Sequence, residues 1–275
     1  MSRMWIWAVG CVSLAAGVVG FEAVAQDSVT PPQWAYLGKE FPRRPAGAPV
    51  RPTICTTCHL PNGNGRPENE AIAGLPRDYI IQQVLDIRSG ARVFPAGTKS
   101  MLQVALDVTP AELEAAADTY SQAPYVSHVR VVEALDIPKA TPAGSLWRFS
   151  TDGAREPLGQ RIIEGPDDFE AHEKRSMTVS YTAYVPPESV KRGEALAAGD
   201  NKRPACAVCH GDGLTGGGVG PPLAGRYVTG AFRQMWAFKS GFRHGAGAAM
   251  MSPVVSDLSE RDMMDLAAYA ATLTP

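Results

Sequence analysis

The first hydrophobic pattern in the chain is an apolar run from Trp5 to Phe21, preceded by Arg3 and followed by Ala23-Val24-Ala25. A positive start, an apolar middle and a small-x-small end predict an export signal cut after Ala25. Glycines at 10, 17 and 20 interrupt the run and Glu22 ends it. A spanning helix needs about 20 apolar residues, so an uncleaved membrane anchor is the alternative. Residues 26–50 lose all periodicity and carry Pro31, Pro32, Pro42, Pro45 and Pro49, as an arm or cover would. Helical spacing then appears at Leu113, Ala116, Ala117 and Tyr120. It follows Thr109-Pro110-Ala111-Glu112, with threonine as N-cap, proline at the first helical position and Glu112 placed for a capping box. Ser259 to Asp262 opens a matching helix whose stripe is Met263, Leu266, Ala267 and Ala270, and Val190 to Ala198 predicts another. Between these helices the period changes to two. Thr178 to Val185 alternates, with Val179, Tyr181, Ala183 and Val185 on one side and Pro186-Pro187 as its end. Arg130 to Val132, Leu146 to Phe149 and Arg161 to Ile163 are expected as further short strands. The pattern is that of a mainly α chain with a partly β middle.

Composition narrows this little. A length of 275 residues allows one large domain or two small ones, and 45% hydrophobic content supports an ordinary core. A net charge of −2 gives no electrostatic reason to bind nucleic acid.

Cysteine placement changes the picture. Of five cysteines, Cys11 would leave with the signal, and the other four lie in Cys55-Thr-Thr-Cys58-His59 and Cys206-Ala-Val-Cys209-His210. Two thiols on one helical turn can each add to a vinyl group of a porphyrin, and the next imidazole is carried under the iron as its proximal ligand. An exported protein would ordinarily pair its thiols as disulfides, yet no spare pair exists here. Zinc is the other reading of such residues and needs four ligands, but the chain offers better haem ligands downstream.

An offset of 151 residues lays the first motif over the second. It also superposes Ala73-Gly74 on Ala224-Gly225, Gln83 on Gln234, and Arg88-Ser89-Gly90-Ala91-Arg92 on Lys239-Ser240-Gly241-Phe242-Arg243. So long a repeat means two domains, not a solenoid. Residues 51–121 and 189–275 form the two units, and 122–188 lie between them. That middle segment is too long for a simple linker. It packs between the units or presents a docking surface, and packing is the expectation because charged turns are usually solvated.

Each unit places a methionine ahead of its last helix. Met101 lies 42 residues after His59, and Met251 lies 41 after His210. Each is eight residues before the N-cap, Thr109 or Ser259. They are expected in loops, as the sixth ligands of the two irons, with Met250 as the rival of Met251. Met235, Met263 and Met264 are expected to fill core.

The two units resemble class I c-type cytochrome domains, and the pair is similar to the soluble di-haem cytochromes of bacterial periplasms. Met251-Ser252-Pro253, Leu258-Ser259 and Leu266-Ala-Ala-Tyr269 carry the likeness, together with Gly220-Pro221-Pro222-Leu223. In that family the proline carbonyl of this loop, Pro221 here, accepts a hydrogen bond from the proximal imidazole. The first unit departs from the pattern. Glu70 stands where Pro221 would lie, Leu60 replaces a glycine, and Tyr120 is one step from the place of Tyr269. Gly211-Asp-Gly213-Leu-Thr-Gly216 fits a dinucleotide-binding pattern, but it follows a haem motif instead of a strand.

The resemblance implies two covalently bound c-type haems, attached through Cys55, Cys58, Cys206 and Cys209. His59, Met101, His210 and Met251 would be the iron ligands, with no catalytic residue. With a thioether on the sixth position, no site remains for oxygen or peroxide. The expected function is outer-sphere electron transfer in the periplasm, from a dehydrogenase or quinol-oxidising complex to a terminal oxidase or reductase. The alternatives are a dedicated cytochrome subunit of a periplasmic dehydrogenase, or a di-haem enzyme of peroxidase or thiosulfate-oxidising type. His128, His172 and His244 are expected to play no part in ligation.

Overall fold

A computed structural model describes residues 55–93 and 99–275. The expected signal, the proline-rich arm and the start of the first unit lie outside the described residues. The first unit is helical. A single turn, α1 (Thr56–His59), is followed by α2 (Arg77–Ser89), α3 (Lys99–Asp107) and α4 (Pro110–Gln122). α4 begins as its sequence requires. Thr109 Oγ1 accepts from Glu112 N at 3.3 Å, and Thr109 N donates to Glu112 Oε2 at 2.9 Å. Two of the helix's unpaired N–H groups are thereby satisfied. The stripe Leu113, Ala117 and Tyr120 is buried. Val84, Ile87, Ala105, Val108 and Leu113 form the unit's core, with Met101 packed against it.

The middle segment holds seven short strands. β1 (Val129–Glu133), β2 (Asp136–Pro138), β3 (Ala140–Ala143), β4 (Leu146–Phe149) and β5 (Arg155–Pro157) precede β6 (Ile163–Pro166); after a helix, α5 (Phe169–Glu173), comes β7 (Tyr181–Val185). The order β1-β7-β6 makes a three-stranded sheet in which β1 runs parallel to β7, Val129 opposite Tyr181, and β6 antiparallel to it. Parallel neighbours need a crossover, and everything from β2 to α5 supplies it. Arg130 to Val132 and Leu146 to Phe149 are strands as expected. Arg161 to Ile163 meets β6 only at Ile163, and the predicted strand from Thr178 starts at Tyr181. β7 is central, so Thr182 is buried as well as Tyr181, Ala183 and Val185. A strand covered on both faces loses the alternation of a half-exposed one.

The second unit contains α6 (Ser189–Ala197), the single turn α7 (Ala207–His210), α8 (Val228–Lys239), α9 (Ala248–Val255) and α10 (Glu260–Thr272). Among the described residues no helix is long and apolar enough to cross a membrane. Ser259 and Asp262 form the second capping box. α6 crosses α10 so closely that a Cβ on Gly193 would stand 2.0 Å from Asp265 O. Beside that crossing Arg192 holds Asp265 through both carboxylate oxygens, at 2.6 and 2.8 Å. Ile162, Ala183 and Val185 of the middle segment share one hydrophobic cluster with Val228, Phe232 and Met263. The sheet therefore packs into the second unit's core. Glu164, 1% exposed on β6, accepts from Val228 N and Thr229 N at the start of α8. The helix N-terminus is where a buried carboxylate is best tolerated.

The segment also leans on the first unit. Arg175 donates to the Thr57 carbonyl inside the Cys55–Cys58 turn. His172, 2% exposed, meets Tyr181 Oη at 3.0 Å and Arg66 Nη1 at 3.3 Å. Burial, then the charges of Arg66 and Arg175, lower its pKa from 6.5 to about 4. The unfolded chain thus takes up a proton near pH 6.5 that the folded one refuses until about 4. Stability supplied by neutral His172 is present above that window and is lost as pH falls through it, by roughly 3 kcal/mol at about 1.4 kcal/mol per pKa unit. Urea unfolding at pH 7 and pH 4.5 should show a smaller acid loss for His172→Gln than for the unmodified protein.

The two units touch through equivalent surfaces. Arg92 and Arg243 form an antiparallel backbone bridge, flanked by Val93 N to Phe242 O at 2.7 Å and His244 N to Ala91 O at 2.8 Å. Arg92 donates to Gln83 and Gln234, and Arg243 donates to the same two oxygens. Arg92 and Gln83 sit 151 residues before Arg243 and Gln234, so the contact is a local two-fold between the repeats.

Candidate haem sites

α1 and α7 are the same structure built twice. His59 N bonds Cys55 O at 2.9 Å and His210 N bonds Cys206 O at 2.9 Å, closing one helical turn each. Within such a turn, residues three apart lie on one face, which puts the paired thiols side by side. All four thiols are free of disulfides. Burial raises the pKa of Cys55, Cys58 and Cys206, keeping them as uncharged thiols.

Each imidazole is anchored by a backbone carbonyl. His59 Nδ1 donates to Glu70 O at 2.6 Å and His210 Nδ1 to Pro221 O at 2.7 Å. A carbonyl only accepts, so Nδ1 carries the hydrogen and Nε2 keeps the lone pair for a metal. The proline-to-glutamate change in the first unit costs nothing here, because the acceptor is main chain. Burial lowers the pKa of both histidines, favouring the neutral, ligating form. Gly220 is required by this fit, since a Cβ there would stand 2.7 Å from the His210 ring.

These residues fit a porphyrin: thiol pairs on one face, a neutral imidazole with Nε2 free, and a donor in reserve. Trp236 Nε1 is buried with no hydrogen-bond partner among the described residues, and a carboxylate of a bound porphyrin would satisfy it. Among the described residues no three His, Cys, Asp or Glu side chains converge on a common metal position.

The two methionines do not lie in loops. Met101 is on α3 and Met251 on α9, each a short helix. Both are half-buried against the core of their own unit. Met250 is 59% exposed, whereas Met251 turns inward. Met263 and Met264 are core, and Met235 packs against it. His128 meets Asn64 Nδ2 at 3.2 Å, and the exposed His244 meets Gly241 O at 3.0 Å. Tyr120, one step from the place of Tyr269, is the buried aromatic of α4. Gly211 to Gly216 folds back after α7 with no strand before it, so it lacks the setting of a dinucleotide turn. In the sequence, only the repeat offset marks the interface pair Arg92 and Arg243.

The geometry defines a c-type cytochrome, and comparison with known proteins agrees. Residues 188–269 match the family model for cytochrome c oxidase, cbb3-type, subunit III. Cytochrome c-554(548) of Halomonas halodenitrificans is 39% identical over 74 residues, which is 26% of this chain and 89% of that protein. The chain belongs to the c-type cytochromes. The thiosulfate dehydrogenase electron acceptor of Thiomonas intermedia is 26% identical over 246 residues, 86% of this chain and 88% of its own. Cytochrome c4 of Pseudomonas stutzeri shares the fold, with a TM-score of 0.54 over 80% of this chain and 94% of that one at 21% identity. The thiosulfate dehydrogenase of Marichromatium purpuratum has a TM-score of 0.51 at 26% identity. That match covers 80% of this chain but only 36% of the larger one.

Proposed function

We propose that the chain is a periplasmic di-haem electron carrier that accepts electrons from a dehydrogenase and passes them to an oxidase or reductase. Haem would be attached at Cys55 and Cys58 and again at Cys206 and Cys209. His59 and His210 are the proximal ligands, and Met101 and Met251 the distal ones. When bound, the group supplies one-electron redox chemistry, with methionine favouring the ferrous state. The chain's own residues orient the imidazoles, exclude water and close the sixth positions. The single observation carrying this reading is the duplicated imidazole–carbonyl bond, at 2.6 and 2.7 Å.

The likeness to a thiosulfate dehydrogenase electron acceptor, which spans 86% of this chain, favours a thiosulfate-oxidising enzyme as the donor. A second reading is favoured by the longer neighbour, of which this chain spans 36%: the protein works as the cytochrome subunit of such a dehydrogenase. Intact mass of the exported protein should show two haem increments on a chain beginning at Gln26. Stopped-flow mixing with a reduced thiosulfate dehydrogenase should then reduce both haems. A single increment, or none, would overturn the di-haem reading. A stable complex on gel filtration, instead of a brief encounter, would select the subunit reading.

A further inference from the structure

The two loops that receive the proximal imidazoles meet on one guanidinium. His59 donates to Glu70 O, and the next carbonyl, Ala71 O, accepts from Arg226 Nη1 at 2.7 Å. His210 donates to Pro221 O, and the next carbonyl, Pro222 O, accepts from Arg226 Nε at 3.0 Å. Arg226 Nη2 takes Ala73 O at 3.0 Å. Glu70-Ala71 and Pro221-Pro222 are equivalent under the 151-residue offset, so the side chain joins like positions of the two units. Its own counterpart is Leu75, whose side chain has no donor. The bridge is therefore built once, from the second unit only. The guanidinium lies over the Tyr125 ring, 4.3 Å from its centre, and Tyr125 Oη is itself fixed to Gly225 O at 2.6 Å. A rigid fork with several donors can hold three carbonyls in one geometry, which a lysine cannot.

We propose that Arg226 is a positioning residue that couples the two proximal histidines, fixing both acceptor loops together and setting one positive charge against both. The proposal rests on the di-haem reading. A cation beside both loops favours the less positive, reduced form at each site, because each one-electron reduction removes a positive charge from its neighbourhood. A residue serving only one unit's loop would act on one site.

The test uses the full-length holoprotein and the variants Arg226→Gln and Arg226→Lys. Haem is counted first by pyridine haemochrome, and retention of the sulfur-to-iron charge-transfer band shows that ligation is intact. Redox titration then follows each haem. In Arg226→Gln both midpoint potentials should fall together, the reduced-to-oxidised ratio at a fixed potential dropping about tenfold at each site, equivalent to about 59 mV for a one-electron couple. Arg226→Lys keeps the charge and should recover most of that shift. Its lost fork should slow electron exchange between the haems several-fold, read from haem-methyl line widths in the half-reduced protein. With two haems bound, movement of one potential alone, or of neither, overturns the proposal. So does unchanged exchange in Arg226→Lys, which decides the matter if Arg226→Gln does not fold. A wild-type count of one haem would fell the di-haem reading first, and this one with it.

Discussion

Met251→Ala should open one iron to carbon monoxide while the other stays closed. On the proposed ligation the unmodified protein should bind neither carbon monoxide nor cyanide readily, because a thioether would fill each sixth position. In the oxidised variant the sulfur-to-iron charge-transfer band should fall by half. The potential of that site should drop by on the order of 0.1 V, a modest part of the roughly 0.8 V that axial ligands span. Met101→Ala should remove the other half of the band. The exposed Met250 is the natural control, and Met250→Ala should change neither band nor ligand binding. Met251 is half-buried, so the fold itself should lose only about 2 kcal/mol. If the unmodified protein took up carbon monoxide at once, an open position would exist and an enzyme of peroxidase or thiosulfate-oxidising type would become the better reading.

The largest expected loss of stability comes from Arg192→Ala. Asp265 is 1% exposed, and Arg192 satisfies both of its oxygens, with Arg261 no nearer than 4.0 Å. Removing the arginine strands a carboxylate in the crossing of α6 and α10, at a cost of about 3–5 kcal/mol. Denaturant midpoints should show it, with the slope unchanged. Replacing both partners by apolar residues of similar volume should recover much of the loss, since a buried pair owes little of its effect to net attraction. A single variant as stable as the parent would mean that the pair is not closed in solution.

Much of this was legible because the relevant chemistry is local in sequence. Two cysteines and a histidine within one turn need no tertiary contact to be recognised, and Thr109 and Ser259 announce their helices through residues three positions on. The register of 151 residues carried the duplication. What failed did so for identifiable reasons. Met101 and Met251 are expected in loops but lie on α3 and α9; in α9 Pro253 stands inside the helix, where the sequence signals a break. β2 and β5 have three residues each, below the length at which alternation can be read, and β3 carries Pro142, which argues against a strand. The parallel pairing of β1 with β7 joins residues about fifty positions apart and leaves no local trace. Glu70 looked like a lost acceptor because the sequence displays side chains, whereas the histidine uses the main chain. The buried charges of Glu164, Arg92 and Arg243 read as ordinary surface residues until their partners are placed around them.

The self-matching bridge between Arg92 and Arg243 has a consequence for how firmly the halves stay together. A surface that pairs with its own copy is what two identical subunits would use to associate. Carried on one chain, the two copies face each other at a high effective concentration that dilution does not change.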